Sequence, residues 1–304
     1  MDIEIVADGL LFPEGPIAMP DGSVILVEIK RQTLTRVFPG GRTEIIAEMP
    51  GGPNGAAIGP DGRCYVCNNG GFEWMEIEGQ TISGDAPPDY RGGSIEAVDL
   101  RTGAVETLYT EVDGQRLSGP NDIVFDRTGG FWFTDHGKGR GRARDLGGLF
   151  YARPDGSKIV EAAFPIFAAN GVGLSPDERT VYVADTFCAR LLAFDLAAPG
   201  EIAPSPIPVP GRPVATLPGY QFLDSLAVEE GGNICVATLL NGGVTTFTPD
   251  GATEHAAFPD LFPTNICFGG ADRRDAYVTL SGTGRLAKVR WPRAGLALNF
   301  LTYR

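Results

Sequence analysis

The chain repeats one pattern of polar and apolar positions along its length. Each copy has a polar residue, a short apolar run, a turn rich in Gly and Asp, and a second apolar run. Two apolar runs of strand length on either side of a tight turn are typical of a β-hairpin. The copies are 40, 67, 49, 54 and 40 residues apart and begin at Glu14, Asn54, Asn121, Asn170, Asp224 and Thr264. Such self-similarity indicates a repeat architecture built from one supersecondary unit.

A second hairpin pattern follows every copy. In TLTRVFPGGRTEIIAEM and GVTTFTPDGATEHAAF, for example, apolar residues alternate around a turn that contains Gly. Six pairs of hairpins predict an all-β fold, a six-bladed β-propeller with four strands in each blade. A β-sandwich is the alternative that fits the same number of turns. We expect a single domain over residues 1–304 with an insertion at about residues 72–92, and the N-terminal IEIV segment beside the C-terminal strands.

Composition and charge limit the fold, the binding partners and the cellular location that we expect. The chain has 42 glycines and 24 prolines, a surplus that a fold with many tight turns accounts for. Its net charge of −13 repels a phosphate backbone, so we expect no nucleic-acid partner. The N-terminus has no basic segment before an apolar one, and no apolar run reaches about 18 residues. We therefore expect a cytoplasmic protein without a membrane partner, and the oligomeric state stays open.

The residue types exclude several kinds of active site. The chain contains two histidines, His136 and His255, too far apart for the HExxH motif and too few for a three-histidine metal site. The GxSxG elbow and the phosphate-binding glycine loops are absent. Any chemistry must therefore come from carboxylates, from amides, or from a metal ion that they bind.

The residues that begin the six copies stand in the same register. In a propeller the innermost strands line the central channel, so equivalent positions meet at one mouth. Each of the six residues has an oxygen donor in its side chain, and buried carboxylates without a partner are costly. This predicts one divalent metal ion, Ca²⁺ first, with Mg²⁺, Mn²⁺, Zn²⁺ and Fe²⁺ as alternatives. The competing interpretation is that the Asn and Asp side chains only cap strand ends.

Four segments, in this order along the chain, resemble one family. They are the EGP of residues 14–16, the PND of 120–122, the NGVGLSPD of 170–177 and the DSLAV of 224–228. They resemble the gluconolactonase-like family, also called the senescence-marker-protein or regucalcin family. The same segments are similar to those of the bacterial drug-responsive lactonases and, more distantly, of the paraoxonases. The resemblance implies a six-bladed propeller with one central divalent metal ion, and hydrolysis of lactones.

The resemblance also implies roles for single residues. It makes Glu14, Asn170 and Asp224 metal ligands, and Asn121 a further ligand or a substrate contact. Asp224 becomes the catalytic acid or base, and Asp122 is the alternative. The metal ion would polarise the lactone carbonyl while Asp224 takes a proton from the attacking water.

This chain departs from the family pattern in two places. Gly119 stands where the sugar lactonases carry an arginine, and neither His136 nor His255 falls at a position of the paraoxonase histidine pair. The first departure weakens the case for a gluconolactone-like substrate. Two other functions stay open. One is hydrolysis of a phosphoester or another electrophile on the same metal ion, and the other is a calcium-stabilised propeller that binds a protein partner without catalysis.

The loops at the predicted mouth supply candidate contacts for a small-molecule lactone. The insertion would form an apolar lid, and the predicted substrate contacts are Asn54, Asn121, Phe72, Trp74 and Tyr90. Phe187 and Asn241 are weaker candidates for the same pocket. The loop HGKGRGRARD is interpreted either as a solvated basic loop or as a surface that attracts an anionic substrate, and its basic residues are Lys138, Arg140, Arg142 and Arg144.

Overall fold

The computed structural model describes residues 1–207 and 209–301. In this part of the chain, six antiparallel sheets form a ring, and the innermost strand of each sheet contacts the innermost strands of both neighbours. The prediction of a six-bladed β-propeller is confirmed, and the β-sandwich is excluded. The prediction of one domain over residues 1–304 includes Pro208 and residues 302–304, which lie outside the described residues.

Each blade has four strands, which follow one another from the central channel outwards. Blade 1 contains Pro13–Ala18, Val24–Glu28, Thr33–Val37 and Thr43–Glu48. Blade 2 contains Pro53–Ile58, Cys64–Asn68, Ser94–Val98 and Val105–Tyr109. Blade 3 contains Pro120–Phe125, Phe131–Asp135, Gly147–Ala152 and Ile159–Ile166. Blade 4 contains Ala169–Leu174, Thr180–Asp185, Arg190–Ala198 and Arg212–Thr216. Blade 5 contains Phe222–Val228, Ile234–Leu239, Gly243–Phe247 and Thr253–Ala257. Blade 6 contains Pro263–Gly269, Asp275–Leu280, Arg285–Arg290 and Ile3–Ala7.

Blade 6 is completed by a strand from the opposite end of the chain. Ile3–Ala7 pairs with Arg285–Arg290 in antiparallel orientation, with Ile3 opposite Val289. The expected pairing of the N-terminal segment with the C-terminal strands is therefore confirmed. Its hydrogen bonds join the beginning of the chain to its last blade, which closes the ring.

A few short strands lie outside the blades. Three small hairpins form, the first of them in the insertion, from Trp74–Ile77 with Gln80–Ser83, Glu111–Val112 with Gln115–Arg116, and Gly139–Arg140 with Ala143–Arg144. Glu201–Ile202 pairs with the end of Arg190–Ala198. Nowhere in residues 1–207 and 209–301 does the chain form a helix long and apolar enough to cross a membrane.

The apolar core is divided among the contacts between neighbouring blades. Successive side chains of a strand point to opposite faces, and both faces of a blade are buried, so one strand contributes to two clusters. Val24 and Leu26 pack in the cluster between blades 1 and 6, while Ile25 and Val27 pack in the cluster between blades 1 and 2. Burial on both faces explains why these strands are continuously apolar.

Candidate metal centre and substrate cavity

One cavity at a mouth of the central channel contains all six residues that begin the repeats. Its volume is about 280 Å³, and we call the six residues its floor: Glu14, Asn54, Asn121, Asn170, Asp224 and Thr264. Five of them are buried, and Asp224 is half-buried. The shared register in the sequence therefore corresponds to a shared place in the structure.

A β-bulge interrupts every innermost strand at the floor. In blade 1 the pairing register shifts between Glu14 and Ile17, and the other five innermost strands shift next to the equivalent residue. A bulge bends its strand and re-aims a side chain. The repeated bulge therefore turns the first polar residue of each strand into the shared cavity.

The backbones of neighbouring innermost strands approach closely beside the floor. A Cβ on Gly15 would lie 2.4 Å from the carbonyl oxygen of Asn54, and one on Gly171 would lie 2.7 Å from that of Asp224. Gly55 makes the same kind of contact with the next strand. A side chain has no room at these positions. The glycines therefore hold each floor residue at a defined distance from the next one.

In blades 5 and 6, which lack such a glycine, a polar residue follows the floor residue and its side chain reaches a neighbouring innermost strand. In blade 6, Asn265 Nδ2 donates to Glu14 Oε2 at 2.7 Å. In blade 5, Ser225 Oγ donates to Asn170 Oδ1 at 3.4 Å. These hydrogen bonds fix the orientation of a carboxylate and of an amide on the floor.

The two floor carboxylates ionise unfavourably when no cation is near. Burial raises the pKa of Glu14 to about 7, although hydrogen bonds from Asn265 and Gly15 act in the opposite direction. Burial, together with the charge of Glu14, raises the pKa of Asp224 well above its usual value. A cation between them would favour the ionised form of both groups.

The amide of Asn121 is a second indication of a cation. Its Oδ1 is buried and has no hydrogen-bond partner in the described part of the chain. Buried carbonyl oxygens usually have one. Carboxylates and amide oxygens suit a hard ion such as Ca²⁺, so Glu14, Asn121, Asn170 and Asp224 fit the predicted metal ion. Residues 1–207 and 209–301 contain no group of three His, Cys, Asp or Glu side chains placed for a metal ion, so amides would have to complete the ligand set.

Asp122, the alternative base, lies on the other side of the floor. It lines a second cavity of about 230 Å³ further along the channel. Its carboxylate accepts backbone N–H groups from Ile123 at 2.9 Å and from Val172 at 3.1 Å. Burial and the charge of Glu14 raise its pKa to about 8. Asp224 lines the first cavity and Asp122 does not, so Asp224 is the better placed of the two to reach a water molecule there.

Loops, together with the short hairpins that two of them contain, form one side of the cavity lining. We call these loop residues the wall: Phe72, residues 82–85, residues 136–139, Arg144, Thr186 and Phe187. Arg144 Nη2 donates to His136 Nδ1 at 2.8 Å and to the His136 carbonyl oxygen at 2.6 Å. Burial, with the charge of Arg144, lowers the pKa of His136 well below its usual value. The imidazole is therefore neutral and accepts the hydrogen bond at Nδ1.

Lys138 joins the two loops of the wall. Its Nζ donates to Asn69 Oδ1 at 3.0 Å and to the Gly71 carbonyl oxygen at 2.6 Å, and it lies 3.5 Å from the ring centroid of Phe72. Burial lowers the pKa of Lys138 well below its usual value. Of the four basic residues in this loop, Lys138 and Arg144 line the cavity. The other two do not: Arg140 pairs with Asp145 at 2.8 Å and Arg142 is exposed.

Comparison with known proteins places the chain in a family. Residues 12–282 match the family described as the SMP-30/Gluconolactonase/LRE-like region. The chain belongs to this family. Lactonase drp35 of Staphylococcus saprophyticus subsp. saprophyticus is 30% identical over 254 residues, which cover 82% of this chain and 70% of that protein. Gluconolactonase of Zymomonas mobilis subsp. mobilis is 25% identical over 315 residues, with 95% and 81% covered. The structure of regucalcin from Agrobacterium tumefaciens str. C58, described as a calcium-binding protein, superposes with a TM-score of 0.74 at 18% identity and covers 99% of this chain and 96% of its own.

The aromatic residues of the insertion take different places in this member of the SMP-30/gluconolactonase/LRE-like family. Phe72 lines the cavity. Trp74 does not, because it packs behind the lining against Phe12 and Phe72, with ring centroids 5.0 and 5.9 Å apart. Tyr90 also lies behind the lining, where its hydroxyl donates to the carbonyl oxygen of Ser118. The structure therefore places Trp74 and Tyr90 as supports of the wall and not at its surface.

The two weaker candidates for pocket residues also take different places in the structure. Phe187 lines the cavity, where Arg144 lies 4.7 Å from its ring centroid. Asn241 is exposed and lies outside the lining, with its amide 3.5 Å from His255 Nδ1. A loop that returns to the mouth does not by itself bring every residue to the cavity.

Three phenylalanines that sequence reasoning missed stand two residues before a floor residue. Phe12, Phe222 and Phe262 line the cavity next to Glu14, Asp224 and Thr264. The sequence could have indicated these phenylalanines, because each of them precedes the first residue of a repeat by the same two positions. It makes the side of the cavity formed by blades 5, 6 and 1 apolar.

Gly119, which stands where the sugar lactonases carry an arginine, also lies two residues before a floor residue, Asn121. In blade 3 a Cβ on Gly119 would lie 2.8 Å from the carbonyl oxygen of Gly137, and in blade 2 one on Gly52 would lie 2.3 Å from Asn69 Oδ1. The wall loops pack directly on these two glycines. An arginine at position 119 therefore has no room in this family member, and the loop of residues 136–145 occupies that side of the cavity.

Proposed function

We propose that this chain is a lactonase, a hydrolase that opens the ring of a small-molecule lactone with one divalent ion, Ca²⁺ first. The observation that carries the proposal is the convergence of Glu14, Asn170 and Asp224 with the unpartnered amide oxygen of Asn121 on the floor of one cavity. The names lactonase and gluconolactonase of two relatives support the reaction class. The calcium-binding regucalcin of the same fold supports the ion.

In this proposal the floor carries out the chemistry. The four ligands would hold the ion, which supplies polarisation of the lactone carbonyl and stabilisation of the negative charge that develops on its oxygen. Asp224 takes a proton from the attacking water. The water oxygen bonds to the carbonyl carbon, the ring C–O bond breaks, and Asp224 passes the proton to the ring oxygen, which leaves as a hydroxyl group. One lactone and one water thus become one hydroxy acid.

The rest of the lining positions the substrate. Phe12, Phe222 and Phe262 offer an apolar surface to the lactone ring and exclude bulk water, which strengthens the electrostatic interactions on the floor. Asn54 on the floor and Phe72 on the wall are the remaining proposed contacts. A cavity of about 280 Å³ suits a small ligand. Two expectations stay predictions: that residues 72–92 act as a lid, and that the protein is located in the cytoplasm.

One experiment tests the proposed function and its two alternatives. The purified protein is analysed for bound metal and assayed with aldonolactones, aliphatic lactones, aryl esters and aryl phosphates, with and without chelator. We expect lactone hydrolysis that chelator removes and Ca²⁺ restores. Turnover of aryl phosphates alone would favour the phosphoesterase alternative. A calcium-loaded protein without turnover of any substrate would favour the protein-binding propeller.

A further inference from the structure

Arg144 stands in the cavity wall with hydrogen-bond donors to spare. Its Nη2 donates twice to His136, and Phe187 covers one face of the guanidinium. Among the residues that the structure describes, Nε is buried without an acceptor and Nη1 donates no hydrogen bond. Because a guanidinium carries five N–H donors, Arg144 retains the capacity to bind a further acceptor.

The charge of Arg144 has no ion-pair partner within the described ranges. Four acids act on it through space, and two of them are paired with other arginines. Asp145 pairs with Arg140 at 2.8 Å, and Asp185 pairs with Arg190 at 3.0 Å. These two carboxylates are therefore already engaged.

The other two nearby acids are held by the backbone. Asp135 accepts three backbone N–H groups at 2.7 to 2.8 Å. Asp85, which also lines the cavity, accepts the N–H of Gly141 at 2.7 Å. Each neighbouring acid thus has a partner of its own, and Arg144 stays available although the protein has a net charge of −13.

Among the basic residues of the wall, Arg144 is the one with unused charge. His136 is neutral and accepts from Arg144. Lys138 donates to Asn69 and Gly71 and is 1% exposed. An anionic group in this cavity would therefore meet the guanidinium of Arg144 first.

We propose that Arg144 is a specificity residue and that the proposed lactonase, on which this inference rests, acts on small lactones that carry a carboxylate substituent. A carboxylate matches the planar fork of a guanidinium in geometry and charge. Thr186, whose buried hydroxyl has no partner in the described part of the chain, lines the same cavity. The volume of about 280 Å³ leaves room for a lactone ring with one short substituent.

The test compares charged and neutral lactones of the same shape. The probes are the γ-lactone of α-hydroxyglutarate and paraconate, which carry the carboxylate at different ring carbons, and the carboxamide of each. We expect kcat/KM for at least one carboxylate to exceed that of its carboxamide about tenfold or more. The substitution Arg144→Gln lowers this ratio about 10- to 100-fold, mainly through KM, because it removes a charge-assisted hydrogen bond.

Two further variants separate binding from structure and from overall charge. Arg142→Gln makes the same change of charge on an exposed residue of the same loop, and we expect its ratio to stay within about twofold of the unsubstituted protein. Arg144→Lys keeps the charge but not the fork, so it retains part of the preference. A loss of activity in Arg144→Gln that is equal for carboxylate and carboxamide would show a merely structural role and overturn the proposal, as would a wild-type protein without preference for the carboxylates.

Binding of the ring-opened product distinguishes a failure of this inference from a failure of the proposed function. Titration calorimetry with α-hydroxyglutarate needs no turnover. Binding to the unsubstituted protein that weakens about tenfold or more in Arg144→Gln supports the carboxylate site even if no lactone is hydrolysed, in which case the lactonase proposal fails alone. Equal affinity for both proteins, or no binding to either, overturns the site.

Discussion

The floor of the cavity is carried by the innermost strands, whereas its wall is carried by loops. Floor residues share one register, one bulge and close backbone contacts such as that between Gly171 and Asp224. Wall residues are held by side-chain hydrogen bonds between loops, such as those of Lys138. Loops tolerate exchange far better than packed strands do. In the proposed lactonase, the floor therefore sets the reaction and the wall sets the substrate.

The largest effect is expected when one acid of the floor and one acid of the wall are each replaced by the corresponding amide. Asp224→Asn keeps the size of the side chain but removes the base and one negative ligand. We expect kcat/KM for lactones to fall about 10³-fold or more, and Ca²⁺ to bind more weakly. Asp85→Asn changes an acid of the wall that accepts the Gly141 N–H, and we expect a change within about tenfold. Steady-state kinetics and calcium titration measure both.

Stability in chelator provides the control for these variants. Asp224→Asn removes a charge that lies close to Glu14, so the metal-free variant should unfold at a higher temperature than the unsubstituted protein. A poorly folded variant would show the reverse. Losses of activity of the same size in both variants would remove the distinction between floor and wall.

A methyl group added at the strand contact tests how rigid the floor is. Gly171→Ala places a Cβ 2.7 Å from the Asp224 carbonyl oxygen and from the Leu226 nitrogen. We expect the free energy of unfolding to fall by about 2 to 3 kcal/mol, because the backbones must separate. Gly231→Ala is the matched control, since a Cβ there meets nothing within 4 Å, and it should change stability by less than about 0.5 kcal/mol. Urea unfolding of both variants provides the measurement, and equal values would contradict a rigid floor.

The floor could be predicted from the sequence because its register repeats. Glu14 and Asp224 begin copies of the same pattern, so their distance along the chain does not matter once the propeller is recognised. The bulges that turn them into the cavity were not predicted, since a bulge depends on how two strands pair. The phenylalanines two residues earlier follow the same repeat and could have been found.

The wall could not be predicted in the same way. Arg144 reaches the cavity because His136 holds it, whereas Trp74 lies behind the lining, where it packs against Phe12. Both contacts depend on where loops of unequal length meet. Aromatic content alone cannot tell a residue that lines a cavity from one that packs behind it.

The pH dependence of calcium binding separates the acids at the floor from the groups of the wall. Burial raises the pKa of Glu14 to about 7, and burial with the charge of Glu14 raises the pKa of Asp224 well above its usual value. In the metal-free protein these two carboxyl groups therefore keep protons that the unfolded chain has released, and their contribution to stability is lost as the pH rises through their raised pKa values. Ca²⁺ must displace the same protons, so its binding strengthens over that range.

We expect the stabilisation by excess Ca²⁺ to grow by about 2 kcal/mol between pH 6.5 and pH 8. His136 and Lys138 titrate in both forms of the protein, so their contributions cancel in this difference. Urea unfolding at both pH values, with Ca²⁺ and with chelator, measures it. Glu14→Gln should reduce the growth, whereas a calcium effect that is equal at both pH values would show that the floor acids do not bind the ion.

The smallest expected effect concerns a residue placed behind the wall. Tyr90→Phe removes the hydroxyl that donates to the Ser118 carbonyl oxygen and leaves the ring that packs on Gly70. The free energy of unfolding should fall by about 1 kcal/mol, the usual contribution of one hydrogen bond. Because Tyr90 does not line the cavity, kcat/KM for lactones should stay within about twofold of the unsubstituted protein.

The variant Phe72→Leu is the matched comparison for Tyr90→Phe. Phe72 belongs to the same insertion but lines the cavity, so its truncation should raise KM more than Tyr90→Phe does while the stability loss is similar. If Tyr90→Phe instead lowered kcat/KM tenfold and left stability unchanged, Tyr90 would contact the substrate. The insertion would then have to move during the reaction, and the wall would extend beyond the loops that line the cavity in this structure.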